Sequence, residues 1–169
     1  MTVDNYSEYK LAETSTELRI TRREECAEVT VAMAAQAKSE ILIFSDELEP
    51  DLYNSNAFVD AVRHMLAEDS NATVHILVFD ISRVVQRGHK LIDLSRRVSS
   101  RVEIRQLSKK YHHAFMLVDG IGLVNRRRAE RFETLAYFYN PAEAINLQRF
   151  FQSVWETSSI SSEARSLNV

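Results

Sequence analysis

The residues best placed by type and spacing to do chemistry lie in "KKYHHAFMLVDG", Lys109 to Gly120. Imidazole can attack phosphorus or carry a proton near neutral pH, and a following aspartate can orient it. The apolar run between His113 and Asp119 is too short for an amphipathic helix and reads as a strand. Side chains two apart on a strand share a face. A lysine two residues after His112 would therefore reach the same phosphate, but that position is Ala114. His113 takes the opposite face, so only one of the two histidines can look into a given pocket. Asp119, at the strand's far end, could orient an imidazole from a neighbouring copy. No metal site is expected, because adjacent histidines diverge and Asp119 lies about 20 Å along the extended chain.

Cations flank this stretch on both sides. Lys109 and Lys110 open it, and Arg126, Arg127, Arg128 and Arg131 follow a second apolar run, "IGLVN". Asp119-Gly120 between the two runs is a hairpin signal. A hairpin returns the arginines to the sheet end that holds the lysines. Lys109, Lys110, His112, Asn125, Arg126, Arg127 and Arg128 are thus the expected anion-binding set. Tyr111, Phe132 and Tyr137 could stack on nucleic-acid bases. The charge distribution agrees: Arg83 to Arg131 carries a balance of +9, the rest of the chain −12.

Other polar clusters carry less. "GHKLIDL" contains His89, Lys90 and Asp93, but at helical spacing, which suits a His89–Asp93 pair on a helix surface. "SDELEPDLY" places Asp46, Glu47, Glu49 and Asp51 just past a strand, a pattern that could hold magnesium but is expected to be a solvated turn. Ser45 has no triad partner. Neither G-x-G-x-x-G nor G-x-x-x-x-G-K-[ST] occurs, so the common nucleotide-binding loops are not expected. Cys26 is the only cysteine, which excludes an internal disulfide.

The elements that must position these residues follow from periodicity. After a polar arm over 1–15, a short strand is expected at Glu17–Ile20. A helix follows, with Thr21 and Glu24 as a capping box. The Ile41–Phe44 core is a buried strand, Ser55 caps a helix, and "ATVHILVFD" is a second buried strand. A helix over "SRVVQRGHKLIDLSRRVSS" is weakened by Gly88. "RVEIRQL", the hairpin and "ETLAYFYN" are strands. A last helix opens at Pro141 and is expected to bury Ile145, Leu147, Phe150, Phe151, Val154 and Trp155. The expected fold is a single α/β domain over 16–158, a mixed β-sheet flanked by helices on both faces, with a frayed tail over 159–169. No apolar run reaches the ~18 residues of a membrane span, and "MTVDNYSEYK" has no signal-peptide pattern, so a cytoplasmic protein is expected.

His112 and Asp119, with the order of elements and the closing Phe150/Phe151/Trp155 helix, resemble the phospholipase D-like superfamily and its HxKxxxxD motif. The likeness covers roughly residues 21 to 157. It implies that a histidine attacks phosphorus, that a second histidine protonates the leaving oxygen, and that single-motif members dimerise to supply it. On that basis His112 and Asp119 are the catalytic pair if the site is active. Two features depart from the pattern: Ala114 for lysine, and "LVNRRRAERF" where the family has a Gly-Ser-x-Asn turn, echoed only by Asn125. The resemblance thus implies a non-catalytic homodimeric domain, without cofactor or metal, that binds nucleic acid or another phosphodiester at a basic cleft around His112. The alternatives are a phosphodiesterase or nuclease in which an arginine replaces the lysine, and a protein-interaction domain without a small ligand.

Overall fold

The structure, a computed structural model, describes residues 6–128 and 133–160; Arg131, Phe132 and the tail from 161 lie outside them. After a 3₁₀ turn at Tyr6–Glu8 come β1 (Leu18–Ile20), α1 (Arg23–Ala34), β2 (Glu40–Ser45), α2 (Pro50–Tyr53), α3 (Asn56–Glu68) and β3 (Thr73–Val78). Then follow α4 (Ile81–Arg87), α5 (Lys90–Arg97), β4 (Val102–Gln106), β5 (Ala114–Val118), β6 (Gly122–Arg126), β7 (Thr134–Tyr137), α6 (Pro141–Thr157) and β8 (Ser159–Ile160). Among the described residues one sheet runs β1-β7-β6-β5-β2-β3-β4-β8. β2, β3 and β4 are parallel, and every other pairing is antiparallel. The expected mixed sheet with helices on both faces is what forms.

The short continuous apolar strands are buried on both sides. Ile41 and Ile43 face the layer of α1 to α5 with Val29, Met33, Val62 and Met116. Leu42 and Phe44 face α6, with Phe115, Phe151 and Trp155. This two-sided burial explains why β2 shows no polar alternation. Asp119 (φ 53°) and Gly120 (φ 69°), both left-handed, reverse the chain between β5 and β6, and the Ile121 amide donates to the Val118 carbonyl at 3.1 Å. Asn140 caps α6 through the Glu143 amide, and Pro141 fills its first turn.

Several expectations are corrected. α1 starts at Arg23, and its N-cap, Arg22, makes no side-chain cap bond, so Thr21 is not part of a capping box. The helix expected across 82–100 is two helices, broken where Gly88 takes φ 77°. His89 is not a surface residue paired with Asp93. It is buried at the start of α5, accepting from the Leu91 amide through Nδ1 (3.1 Å) and donating from Nε2 to the Leu48 carbonyl (3.1 Å). Ile145, expected in the core, is 44% exposed, since α6 turns that side to solvent. Ser159 and Ile160, read as tail, add an edge strand to β4. In the segment read as a polar arm, Tyr6 is buried and Tyr9 and Leu11 pack on the core. Among the described residues no helix is long and apolar enough to cross a membrane.

The buried His89 makes stability depend on pH. Burial lowers its pKa to about 4, below the roughly 6.5 of an unfolded chain. The folded state therefore resists a proton that the unfolded state accepts. Stability is full above pH 6.5 and declines as pH falls toward 4. His89→Asn, which keeps an N-cap acceptor, should flatten that decline by an amount on the order of 3 kcal/mol between pH 7 and 4. Urea titrations of both proteins at a series of pH values measure it; equal slopes would contradict the assignment.

Candidate functional site

The site region is fixed by where strands end. β2 and β3 finish together at Ser45 and Val78. Phe44 pairs with Phe115 and Ala114 with Arg126, so the start of β5 and the end of β6 reach the same edge. In α/β sheets this carboxyl edge of the parallel strands is where ligands bind. Lys110, Arg126, Arg127 and Arg128 do reach this edge, as the hairpin requires, but they divide between two faces.

On the first face, His112 is exposed and lines a cleft of about 680 Å³. Its surroundings are not basic. Asp46, Glu47, Glu49, Asp51 and Asp80 line it with Arg23, Arg83 and Lys110. Burial holds the Asp46 carboxyl above its usual range, and nearby Lys110 pulls it back. Behind this cleft, in register with Ala114, sits Arg126, 3% exposed and ion-paired with Glu49. Ser45 Oγ also donates to Glu49 Oε1 at 3.3 Å. Burial works against the guanidinium charge, but the Glu49 carboxylate more than offsets it and raises the Arg126 pKa. Tyr53, fully buried below, is held protonated by burial and by Glu49. An arginine therefore stands across from Ala114, already engaged by a carboxylate of its own chain.

On the second face, His113 points away from His112. Its Nε2 donates to Asn125 Oδ1 at 2.6 Å, and its ring lies among Phe44, Phe115 and Phe150. Burial lowers its pKa and the Asn125 bond raises it in part. Asn125, Arg127 and Arg128 line a groove of about 510 Å³ with Arg19, Thr21 and Leu135. Arg19, Arg127 and Arg128 are exposed, and Glu133 is the acidic residue in the lining. Lys109 lies at neither wall; its Nζ is 5.1 Å from the centre of the Tyr111 ring.

Asp119 stands at the opposite end of β5 from His112. It accepts from the backbone amides of Lys38 (2.9 Å), Ser39 (2.8 Å) and Glu40 (3.0 Å) and from Ser39 Oγ (3.0 Å). All four bonds clamp the hairpin to the start of β2. Among the described residues no group of three or more His, Cys, Asp or Glu could hold a metal ion.

Sequence reasoning grouped Lys109 through Arg128 into one anion set and missed Arg19 and the Glu49–Arg126 pairing. The outward position of Arg19 between Leu18 and Ile20 is visible in the alternation of β1. No local signal brings β1 beside β7, or Glu49 to an arginine 77 positions later.

This sheet order, with its antiparallel half and closing helix, is a phospholipase D-like fold. Similar solved structures include the archaeal chromatin protein TrmBL2, described as showing a novel mode of DNA binding. It is 18% identical with a TM-score of 0.63, over 88% of this chain and 55% of that one. The phospholipase D family member Nuc from Salmonella typhimurium is 14% identical with a TM-score of 0.61, over 86% and 97%. NucT from Helicobacter pylori is 8% identical with a TM-score of 0.60, over 86% and 99%. This chain thus spans about half of TrmBL2. No curated protein matches the sequence. Residues 22–167 match a family described as a domain of unknown function, DUF7931, and the chain belongs to that family.

Proposed function

We propose that this chain is a non-catalytic phospholipase D-like domain that binds a phosphate-bearing ligand, nucleic acid foremost, through the groove of Arg19, Arg127 and Arg128. The observation that carries this reading is the convergence of three exposed arginines on one open groove. Guanidinium forks match phosphate oxygens well. The reading as non-catalytic rests on Ala114, which faces the Arg126–Glu49 pair where a lysine would meet phosphate. The DNA binding in the description of TrmBL2 is that protein's property; it agrees with this reading and does not carry it.

Fluorescence anisotropy with a labelled single-stranded oligonucleotide, over a series of salt concentrations, tests the proposal. Wild type should bind with an affinity that falls steeply with salt. Arg127→Ala/Arg128→Ala should bind more weakly, its log–log salt slope shallower by roughly 1.4, about 0.7 for each lost phosphate contact. Binding that ignores both replacements would refute the groove. Turnover of bis-p-nitrophenyl phosphate that disappears in His112→Ala would replace this reading with the phosphodiesterase one. Homodimerisation rests on the resemblance to single-motif members and is read by sedimentation velocity.

A further inference from the structure

The cleft beside His112 has a feature that the groove reading does not use. Its four acids between residues 46 and 51 each engage a cation from a different element. Asp46 meets Lys110, before β5, at 3.7 Å. Glu47 meets Arg83 of α4 at 3.4 Å. Glu49 holds Arg126 of β6, and Asp51 meets Arg23 of α1 at 2.8 Å. The segment is itself pinned at Leu48, which is fully buried. The Leu48 amide donates to Ser45 Oγ at 2.9 Å, and its carbonyl accepts from His89. Leu48 holds φ 50°, a conformation a leucine keeps only when its surroundings impose it. The acids are therefore placed by the fold and do not merely float over a basic surface.

We propose that the 46–51 segment is an internal latch, its carboxylates occupying a cationic site that would otherwise take a phosphate-sized dianion. Glu49 is the bolt. Its Oε1 accepts from Nη2 of the buried guanidinium, a charge-assisted bond that a phosphate oxygen could equally accept. Asp46 and Glu47 cover the two cations at the mouth. An anion reaches Arg126 only where Glu49 gives way, and reaches Arg83 and Lys110 at the mouth only where Glu47 and Asp46 do, which makes this site distinct from the open Arg127/Arg128 groove. Failure here leaves the groove reading standing.

Thermal melts in sodium phosphate and in sodium chloride of equal ionic strength test the latch. Wild type sets the baseline, since its open groove can itself take phosphate, and every gain below is read relative to it. Glu49→Gln, which keeps a hydrogen-bonding side chain against Arg126, should melt lower in chloride and regain about 4 °C or more in phosphate, because a ligand that binds only the folded state stabilises it. Adding Arg126→Met to Glu49→Gln should abolish that phosphate-specific gain. A folded Glu49→Gln with no preference for phosphate over chloride would overturn the proposal. So would a wild type whose phosphate gain equals that of Glu49→Gln. Should Glu49→Gln not fold in either salt, Asp46→Asn/Glu47→Gln leaves the buried pair whole and uncovers Lys110 and Arg83. A smaller phosphate-specific rise is expected there, and its absence would equally overturn the latch.

Discussion

Arg126→Met should lower folding stability by about 3–5 kcal/mol, the usual loss when one partner of a buried ion pair is removed. The side chains of Arg126 and Glu49 are only 4% and 14% exposed, so the abandoned carboxylate has little water to turn to. It would have to take up a proton or drag the loop outward. Ser45 Oγ could still donate to it. Replacing both partners, as in Glu49→Leu/Arg126→Met, removes the charge and its counter-charge together and should recover most of the loss. Urea unfolding of wild type, both single variants and the double variant closes a double-mutant cycle. A coupling below about 1 kcal/mol would show that the pair is solvated after all. The other three ion pairs at this cleft join side chains that are mostly a third or more exposed, where each is worth about 0–1 kcal/mol. Their removal should be felt in the cleft's charge and hardly in stability.

The second large effect concerns Asp119, a candidate for catalysis by spacing and a clamp by geometry. Asp119→Ala removes the acceptor of four hydrogen bonds. It also puts a residue without a polar side chain at φ 53°, where aspartate and asparagine are better tolerated. Together these should cost on the order of 2–4 kcal/mol, since bonds to a carboxylate are stronger than neutral ones and three donors are backbone amides left without that acceptor. Asp119→Asn keeps the turn conformation and one acceptor oxygen, and should lose roughly half as much. Oligonucleotide binding measured well below the melting temperature should match wild type in both variants, because Asp119 lies at the far end of β5 from the groove. A stable Asp119→Ala with altered binding would reverse the assignment.

How much of this was legible from the residues depends on the distance over which each interaction acts. Alternation and apolar runs marked β2, β3, β5 and β6 because a strand's burial is written in its own side chains. The Asp119-Gly120 turn and the Asn140-Pro141 helix start were legible for the same reason: each is a local backbone requirement met by the residue in place. Glu49 and Arg126 looked like a solvated acidic turn and part of a basic run. Only the tertiary fold buries them against each other. His89 misled because helical spacing to Asp93 suggested a surface pair, while Gly88 breaks the helix and turns the ring inward. The basic run was read as one surface, yet strand alternation sends Arg126 to one side of the sheet and Arg127 to the other. That split follows from the period of two, once the strand is known to extend to Arg126.

The sheet order has a consequence for how the molecule is made. β1 is the first strand of the sheet in chain order, yet among the described residues its only partner in the sheet is β7: Leu18 pairs with Ala136 and Ile20 with Thr134. Nearly the whole domain must be synthesised before that edge can close, so vectorial translation gives the leading strand no head start. The wall that carries Arg19 thus closes only after β7 is made, although β1 precedes every other strand of the sheet in the chain.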